Sequence, residues 1–583
     1  MPKELRNPRH VAKLPKYGHD LSKILKFSSN VGHLIPVFYD LAQAGDKYRF
    51  NTEMFTQITD IVSPAMIHLE EHVEWFFVPL RQLYQFADDN LYSLDNSRTS
   101  YRQNISDQSV MPMMGMDEFL YLYNLRRVVA ANFDVSDLDN DVDMFGVPLL
   151  FNAVRLCQHL GYGTIHMTSD EEVTQRGLDI KLLLAYQKIF YDCYRLTDRV
   201  PNNVQAYNVD DLSGLGQFTD SRKRSIFELH YRPWRKDFFT STFVSPLIDV
   251  DAVGMQQRAQ GNENSLAKFN NWLIDSSAAL ANESGGEDAA TGGYPTTVQQ
   301  KSTDNTPFSL ALLRGMFAVE KLSEITRRAA KRYDAQVLAH FGFKVPEGIG
   351  TEVIRCGSDK SVMRINEIVA TSSGSAAAAS PDGGTVNTTF GERGGRGNAY
   401  NDNKNKSFVA PCDGVLMAIY SAEPLADYDD EPFDRFNTFA TRPDYFKPEY
   451  DRLGMAPLFW YQLFGIDKND SDMTNEILGW QYRYMEYKMK FNQCLGAFVH
   501  TEYRNWTVFR DSADFSTSRS LQNRFFYINP NIMDNILLVH TQYPSNQKIT
   551  GFDTVYSRDC LLHWFKFNVF KSSVISNYSL PSL

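Results

Sequence analysis

The sequence predicts a mainly β protein, with strands distributed as a closed β-sandwich such as a jelly roll would have them, interrupted by long helical and loop insertions. Three observations carry this expectation. Short β-rich runs crowd residues 32–79, and β-rich runs return near the C-terminus. Between them lie helical segments and two stretches rich in small polar residues, from about Ala252 to Pro307 and from about Ala370 to Lys406. A closed sandwich draws strands for each sheet from both halves of the chain, so this distribution is what such a fold requires. No period of the solenoid or propeller kind is present.

Residues 1–30 read as an extended basic arm. Pro2, Pro8 and Pro15 remove backbone donors and no helical stripe is present. Within residues 1–27, Lys3, Arg6, Arg9, Lys13, Lys16, Lys23 and Lys26 stand against Glu4 and Asp20, so the arm is +5 and the remainder −16 of a total of −11. Contact with a nucleic-acid backbone needs only mobile cations. Ordinary solvated disorder is an equally open reading of such an arm.

After the arm come HLIPVFYDL, DKYRFNTEMF and AMIHLEEHVEWFFVP, punctuated by Ala44-Gly45-Asp46 and Ser63-Pro64, a pattern of antiparallel strands and turns. FNAVRLCQHLGYG and KLLLAYQKIFYDCYRL carry apolar residues at helical spacing, with Gly161 as a stop. The Ala252–Pro307 stretch reads as a folded insertion with flexible shoulders, because LAKFNNWLI puts Leu266, Phe269 and Leu273 on one helical face beside Trp272. The strongest helical pattern follows, with a stripe of Leu322, Ile325, Ala329 and Tyr333 closed by Gly342. Residues 370–406 read as a flexible Gly/Ser-rich loop. Strands return in FVAPCDGVLMAIYSAEP, EYKMKFNQCLGAFVHTEY and LLHWFKFNVFKSSVI.

Composition narrows the function classes. With 43% hydrophobic and 13% aromatic residues, the chain has material for a core and for contact surfaces besides. Its six cysteines are scattered with no C-x-x-C pair, against zinc knuckles and dithiol chemistry and in favour of a reducing cytosol. The first twenty residues place charges and prolines where an export signal needs an apolar run, and no apolar run is long enough to span a membrane. The expectation is a soluble protein.

Motifs that suggest chemistry are few. His68-Leu69-Glu70-Glu71-His72 fits the H-x-x-E-H signature of a zinc hydrolase, which needs a helix so that both histidines reach one metal. Here it sits in a strand-like run, where the two histidines stand ~13 Å apart. The Gly391–Gly397 cluster lacks the spacing of a phosphate-binding loop, although Arg393 and Arg396 could touch an anion. Lys321, Arg327, Arg328, Lys331 and Arg332 make a positive strip on the predicted helix, open to DNA, an acidic neighbour or solvent. No nucleophile and base can be paired by spacing, and no metal ligand or cofactor site is identified. A glycan-binding surface module would also fit the aromatic and Asn content, but would need export.

A chain-long series of motifs resembles the major capsid proteins of the Microviridae, particularly the gokushovirus branch. Its parts are His19-Asp20-Leu21-Ser22, Gly32-His33-Leu34-Ile35-Pro36-Val37, Gly45-Asp46, Phe76-Phe77-Val78-Pro79, Arg235-Lys236-Asp237-Phe238-Phe239-Thr240-Ser241, Arg332-Tyr333, His340-Phe341-Gly342, Tyr482-Arg483-Tyr484-Met485-Glu486-Tyr487-Lys488 and Tyr578-Ser579-Leu580-Pro581-Ser582-Leu583. The chain departs from the pattern at Ala44, where the family has Pro, at Ser579, where it has Gly, and in lacking W-x-x-W after Pro79.

The resemblance implies an eight-stranded antiparallel jelly roll of viral coat type, one domain over 31–583, preceded by the 1–30 arm facing the capsid interior. It implies a structural protein without enzymatic activity or cofactor, building a T=1 icosahedral shell of sixty copies around single-stranded DNA. Implied partners are further copies of the chain, the packaged DNA, internal scaffolding, DNA pilot and small DNA-binding phage proteins, and a host receptor. The insertion at 252–307, with Leu266, Phe269, Trp272 and Leu273, is implied as a surface protrusion that meets the host. The seven basic residues of the arm are implied as DNA contacts. Assembly in the bacterial cytoplasm and residence in the virion follow.

Overall fold

The computed structural model describes residues 15–59, 61, 66–92, 111–115, 119, 142–163, 177–212, 215–244, 318–319, 321–322, 325–326, 329, 333–345, 351–369, 374–376, 386–388, 393–440, 442, 444–451, 455–465, 476–500, 502–510, 523–537 and 559–576. The chain forms two compact units. One is drawn from Met1–Lys236, Val345–Pro432 and Phe491–Leu583, the other from Asp237–Lys344 and Phe433–Lys490.

Ten strands of the first unit form one antiparallel sheet. They are β1 (Tyr17–Asp20), β2 (Lys23–Ser29), β3 (Ile35–Ala42), β4 (Lys47–Ile58), β5 (His68–Pro79), β6 (Ile354–Val369), β7 (Arg393–Asp402), β8 (Lys406–Val409), β9 (Gly414–Pro424) and β10 (Leu561–Ser573). Eight of them pair as a nested set: β2 with β10, β3 with β9, β4 with β7, and β5 with β6. First strand with last, second with second-last and so inward is the connectivity of a long hairpin rolled into a jelly roll. The two four-stranded layers read β2-β10-β4-β7 and β3-β9-β5-β6, and pairing of β6 with β7 joins them. β1 extends the edge along β10, and β8 continues beside β4 after β7 leaves it.

Alternation explains the layers. β4 and β10 bury every second residue, and their inward set includes Tyr48, Phe50, Met54, Phe565, Phe567 and Val569. β5 and β9 are buried on both faces, as their continuous apolar runs WFFV and VLMAIY require. Leu69, Val73, Trp75 and Phe77 of β5 face the barrel core, while Phe76 and Val78 face a second core outside it. That outer core is made with the helices α1 (Leu149–His159), α2 (Lys181–Ile189) and α3 (Asp220–Phe227), inserted between β5 and β6. α2 continues as a π-helical turn over Phe190–Tyr194, and Thr219 caps α3 by accepting from the Arg222 N–H.

The jelly roll and the first two helices stand where the sequence placed them, and the Ala44-Gly45-Asp46 turn joins β3 to β4 with Gly45 at φ 86°. Three expectations need correction. Residues 17–29 of the arm are not free but are strands β1 and β2 at the sheet edge. The Gly-rich run 393–402, expected to belong to a loop, is strand β7. EYKMKFNQCLGAFVHTEY forms short helical turns, Met485–Lys488, Ala497–His500 and Glu502–Trp506, because Tyr484 (φ 64°) and Gly496 (φ 69°) turn the backbone away from an extended course.

Gly32 shows why the loop before β3 needs glycine. Its φ is 78°, and a Cβ there would come within 2.7 Å of the Ile528 carbonyl oxygen and 2.8 Å of the Ile528 side chain. Gly32→Ala is expected to destabilise this unit by about 2–3 kcal/mol, from left-handed strain and overpacking together, read as a lower urea midpoint at unchanged m.

In the second unit, Met455–Phe459 pairs with Ile477–Tyr482, and Phe243 bridges to Trp480. Asp237 starts a tight turn, its carboxylate accepting from the N–H groups of Phe239 (3.1 Å) and Thr240 (2.8 Å). Of the predicted helical stripe, the described residues include α4 (Tyr333–Phe341), stopped by Gly342 at φ 66°. Its apolar residues are not core: Leu322, Tyr333, Leu338 and Phe341 are all exposed, and α4 buries none of its residues.

Candidate functional site

The H-x-x-E-H motif lies on β5. His68 and His72 project from its outer face and Glu71 from its inner face into the barrel core, so the histidines are ~13 Å apart and the carboxylate is on the wrong side of the sheet. This geometry rules the motif out as a shared metal centre. Burial lowers the His72 pKa to about 4.

Inside the barrel, five strands bring together a polar cluster that spacing did not reveal. His563 of β10 holds Nε2 2.8 Å from Ser29 Oγ and Nδ1 2.9 Å from Thr56 Oγ1. Glu71 Oε1 is 3.6 Å from the same Nδ1 and accepts from the Tyr420 hydroxyl at 2.9 Å. Ser, His and Glu thus stand in hydrolase-like order. The rings of Phe27, Tyr420 and Phe565 surround the imidazole, and Ser29 and Glu71 have no exposed surface, so a substrate has no approach. The cluster pairs Ser29, Thr56, Tyr420 and His563 within the core, with Glu71 Oε2 left without a hydrogen bond. Burial raises the Glu71 pKa to about 7 and holds His563 well below its ordinary value.

A second network pins the helical insertion to the barrel. Glu74 of β5 accepts from Tyr194 (2.5 Å) and Arg232 (3.2 Å) and pairs with Arg355. Glu70 pairs with Arg235 and Lys360, and Glu423 lies 3.5 Å from Arg232. On the other side of the barrel mouth, Arg155 of α1 grips Asp559 through two bonds, 3.0 and 2.8 Å. These pairs are architecture, holding inserted chain to strands.

Of the basic residues expected on DNA, Lys3, Arg6, Arg9 and Lys13 lie outside the described residues. Lys16 is exposed and donates to the Gly45 carbonyl. Lys26 is exposed on the outer face of β2. Lys23 is turned away: its ammonium lies 5.1 Å from the Phe38 ring centroid and 5.6 Å from that of Tyr39, and burial lowers its pKa. Its ammonium thus faces rings of the sheet, unlike that of Lys26. Leu266, Phe269, Trp272 and Leu273, with the whole 252–307 insertion, lie outside the described residues, as do Arg327, Arg328, Lys331 and Arg332.

The second unit carries an aromatic patch around the Tyr484 motif. Phe436, Tyr445, Phe446 and Tyr487 are exposed, with Phe436 and Phe446 in ring contact with Tyr487 at 5.0 and 6.1 Å. Lys490 caps the Phe436 ring at 4.3 Å.

The chain matches the family described as Capsid protein (F protein) over residues 10–121 and 158–563, most of its length. It belongs to that family of phage capsid proteins. The capsid protein VP1 of Chlamydia phage 1 is 21% identical over 601 aligned positions, covering 91% of this chain and 92% of the relative. Both findings agree with the motif series, and together they make the chain a capsid protein of the microvirus type. Among the described residues no helix of this capsid protein is long and apolar enough to cross a membrane.

Proposed function

We propose that this capsid protein assembles into a closed icosahedral shell of sixty copies that encloses the single-stranded DNA genome of a small bacteriophage, as a structural component without catalysis. The observation that carries the reading is the family match across nearly the whole chain, taken with the nested eight-strand order of a viral-type jelly roll. Exposed apolar side chains on α4 and around Tyr487 are the kind of surface that contacts between copies cover. Scaffolding, pilot and small DNA-binding proteins would join during assembly in the host cytoplasm, and the 252–307 insertion would project toward the host receptor.

The arm before β1 supports an inward, DNA-facing role. Replacing Lys3, Arg6, Arg9, Lys13 and Lys16 by Gln is expected to leave shells of normal size with reduced DNA, measured by the ratio of absorbance at 260 and 280 nm in purified particles. A full genome complement in the five-fold variant contradicts the arm's role.

A further inference from the structure

The two layers of the barrel are treated differently. The β3-β9-β5 layer is covered by helices on its outer side, whereas among the described residues no helix packs on the outer side of β2-β10-β4-β7. Along that open face, register places Lys26, Trp564, Phe55 and Tyr400 side by side on the four successive strands. Tyr400 is 68% exposed and Phe55 36%, in positions where a strand facing solvent ordinarily carries small or charged residues. The neighbouring row is Ser28, Leu562, Gln57 and Asn398, uncharged throughout. Further along, Phe570 is 54% exposed opposite Arg49, and Lys47 follows.

The charge on this face favours an anion. Among the residues with described side chains, its acids are Glu53 and Asp20. Glu53 is already held by Lys566 and Asn568, each at 2.9 Å. Lys26, Lys47 and Arg49 make no ion pair among the described residues. The basic arm enters the same layer at its edge, where Tyr17 pairs with Ser573 one position from the Ser572–Lys47 pair. Rings on adjacent strands, amide side chains between them and cations at the margins are the elements of a sheet that stacks unpaired bases. A dry contact between protein copies would instead be depleted of lysine.

We propose that the outer face of β2-β10-β4-β7 is a binding platform for single-stranded nucleic acid, on which Trp564, Phe55 and Tyr400 stack bases while Lys26, Lys47 and Arg49 meet phosphates. Adjacent strands lie ~4.8 Å apart, so the ring row spans ~10 Å, and Phe570 lies ~20 Å from Trp564 along β10. The site rests on the reading of the chain as a shell around single-stranded DNA and gives that shell a defined inner contact. Stacking is indifferent to base identity, so sequence choice is weak.

The test uses the purified full-length chain and a 20-nucleotide oligo(dT) carrying 5-iodouracil. Photocrosslinks mapped by mass spectrometry are expected at Trp564, Phe55 and Tyr400. Each ring-to-Ser substitution is expected to lower affinity for oligo(dT) about tenfold at fixed salt without changing the slope against salt, while Lys26→Gln and Arg49→Gln each reduce that slope by about one. The urea midpoint of each variant is compared with the parent to establish that it folds. Crosslinks confined to residues 1–16, or unchanged affinity in the Phe55→Ser/Tyr400→Ser/Trp564→Ser variant, overturn the platform while genome-filled parent particles leave the capsid reading standing. A folded triple variant that no longer forms shells makes the face a contact between copies and also overturns it. Parent particles without DNA would instead defeat the capsid reading itself.

Discussion

Between pH 6.5 and pH 5.0 the barrel unit is expected to lose about 5–6 kcal/mol of stability. Buried histidines cause the loss: besides the three that follow, His72 and His159 are lowered by burial to about 4 and about 3. His33, His230 and His563 are each only 4% exposed, and desolvation holds the imidazole of each in its neutral form, with His230 lowered to about 3 and the other two well below their ordinary value. Below pH 6.5 the unfolded chain binds these protons and the folded chain does not, so stability falls as pH falls. Each histidine costs about 2 kcal/mol by pH 5.0. Glu71 and Glu228 work in the opposite sense: with folded pKa values raised to about 7, their contribution is greatest in acid and is lost as pH rises from the ordinary carboxyl range through 7, each returning about 2 kcal/mol over the same interval. The nearest carboxyls, Glu71 at 3.6 Å from His563 Nδ1 and Glu228 at 3.9 Å from His230 Nδ1, are themselves raised to about 7 by burial and so are largely neutral in this range. His230 is stacked on Phe190 at 3.5 Å and bonded to Gln187, and His33 Nδ1 is buried without a hydrogen bond. Urea midpoints followed by tryptophan fluorescence at the two pH values check this, and His563→Gln is expected to remove about one fifth of the histidine slope. Equal midpoints would contradict it.

Asp559→Ala is expected to destabilise the same unit by about 3–5 kcal/mol. The Arg155 and Asp559 side chains are 5% and 2% exposed, so removing the carboxylate takes this counter-charge from a buried guanidinium. The bridge also ties α1 to the residues just before β10 and to Ser28, whose hydroxyl donates to the same carboxylate. Replacing both partners, Arg155→Met with Asp559→Leu, is expected to recover most of the loss, because the cost lies in the buried charge more than in the missing attraction. Urea unfolding of the single and double variants measures both, and a single-variant loss below about 1 kcal/mol would mean that water reaches the guanidinium.

Much of the barrel was legible because its strands obey simple patterns. LLHWFKFNVFKSS alternates and becomes β10, and the continuous apolar runs of β5 and β9 mark strands buried on two sides. Strand β6 was not anticipated. Gly357, Asp359 and Lys360 break its apolar pattern, and their compensation is tertiary: buried Asp359 accepts from Thr52 and Trp75 and pairs with Lys406. β7 was mistaken for loop because glycine carries no pattern at all. Gly397 is required there, since a Cβ would meet Ile58 Cγ2 at 2.9 Å and Met363 Sδ at 3.0 Å. The buried cluster of Ser29, Thr56, Glu71, Tyr420 and His563 was invisible for another reason: its members are spread over five strands, and only the roll of the sheet brings them together. The same holds for the row of Lys26, Trp564, Phe55 and Tyr400. Lys23 and Lys26 looked alike in the basic arm, and the parity of β2 alone decides that one points at rings and the other at solvent.

The most direct test of a shell-forming role is the mass of the native assembly, by mass photometry of material purified from infected or co-expressing cells together with the other phage proteins. Sixty copies of a 66.7 kDa chain predict uniform closed particles of about 4 MDa before DNA. A chain that stays at its monomer mass under those conditions, with its partners present, would contradict the account.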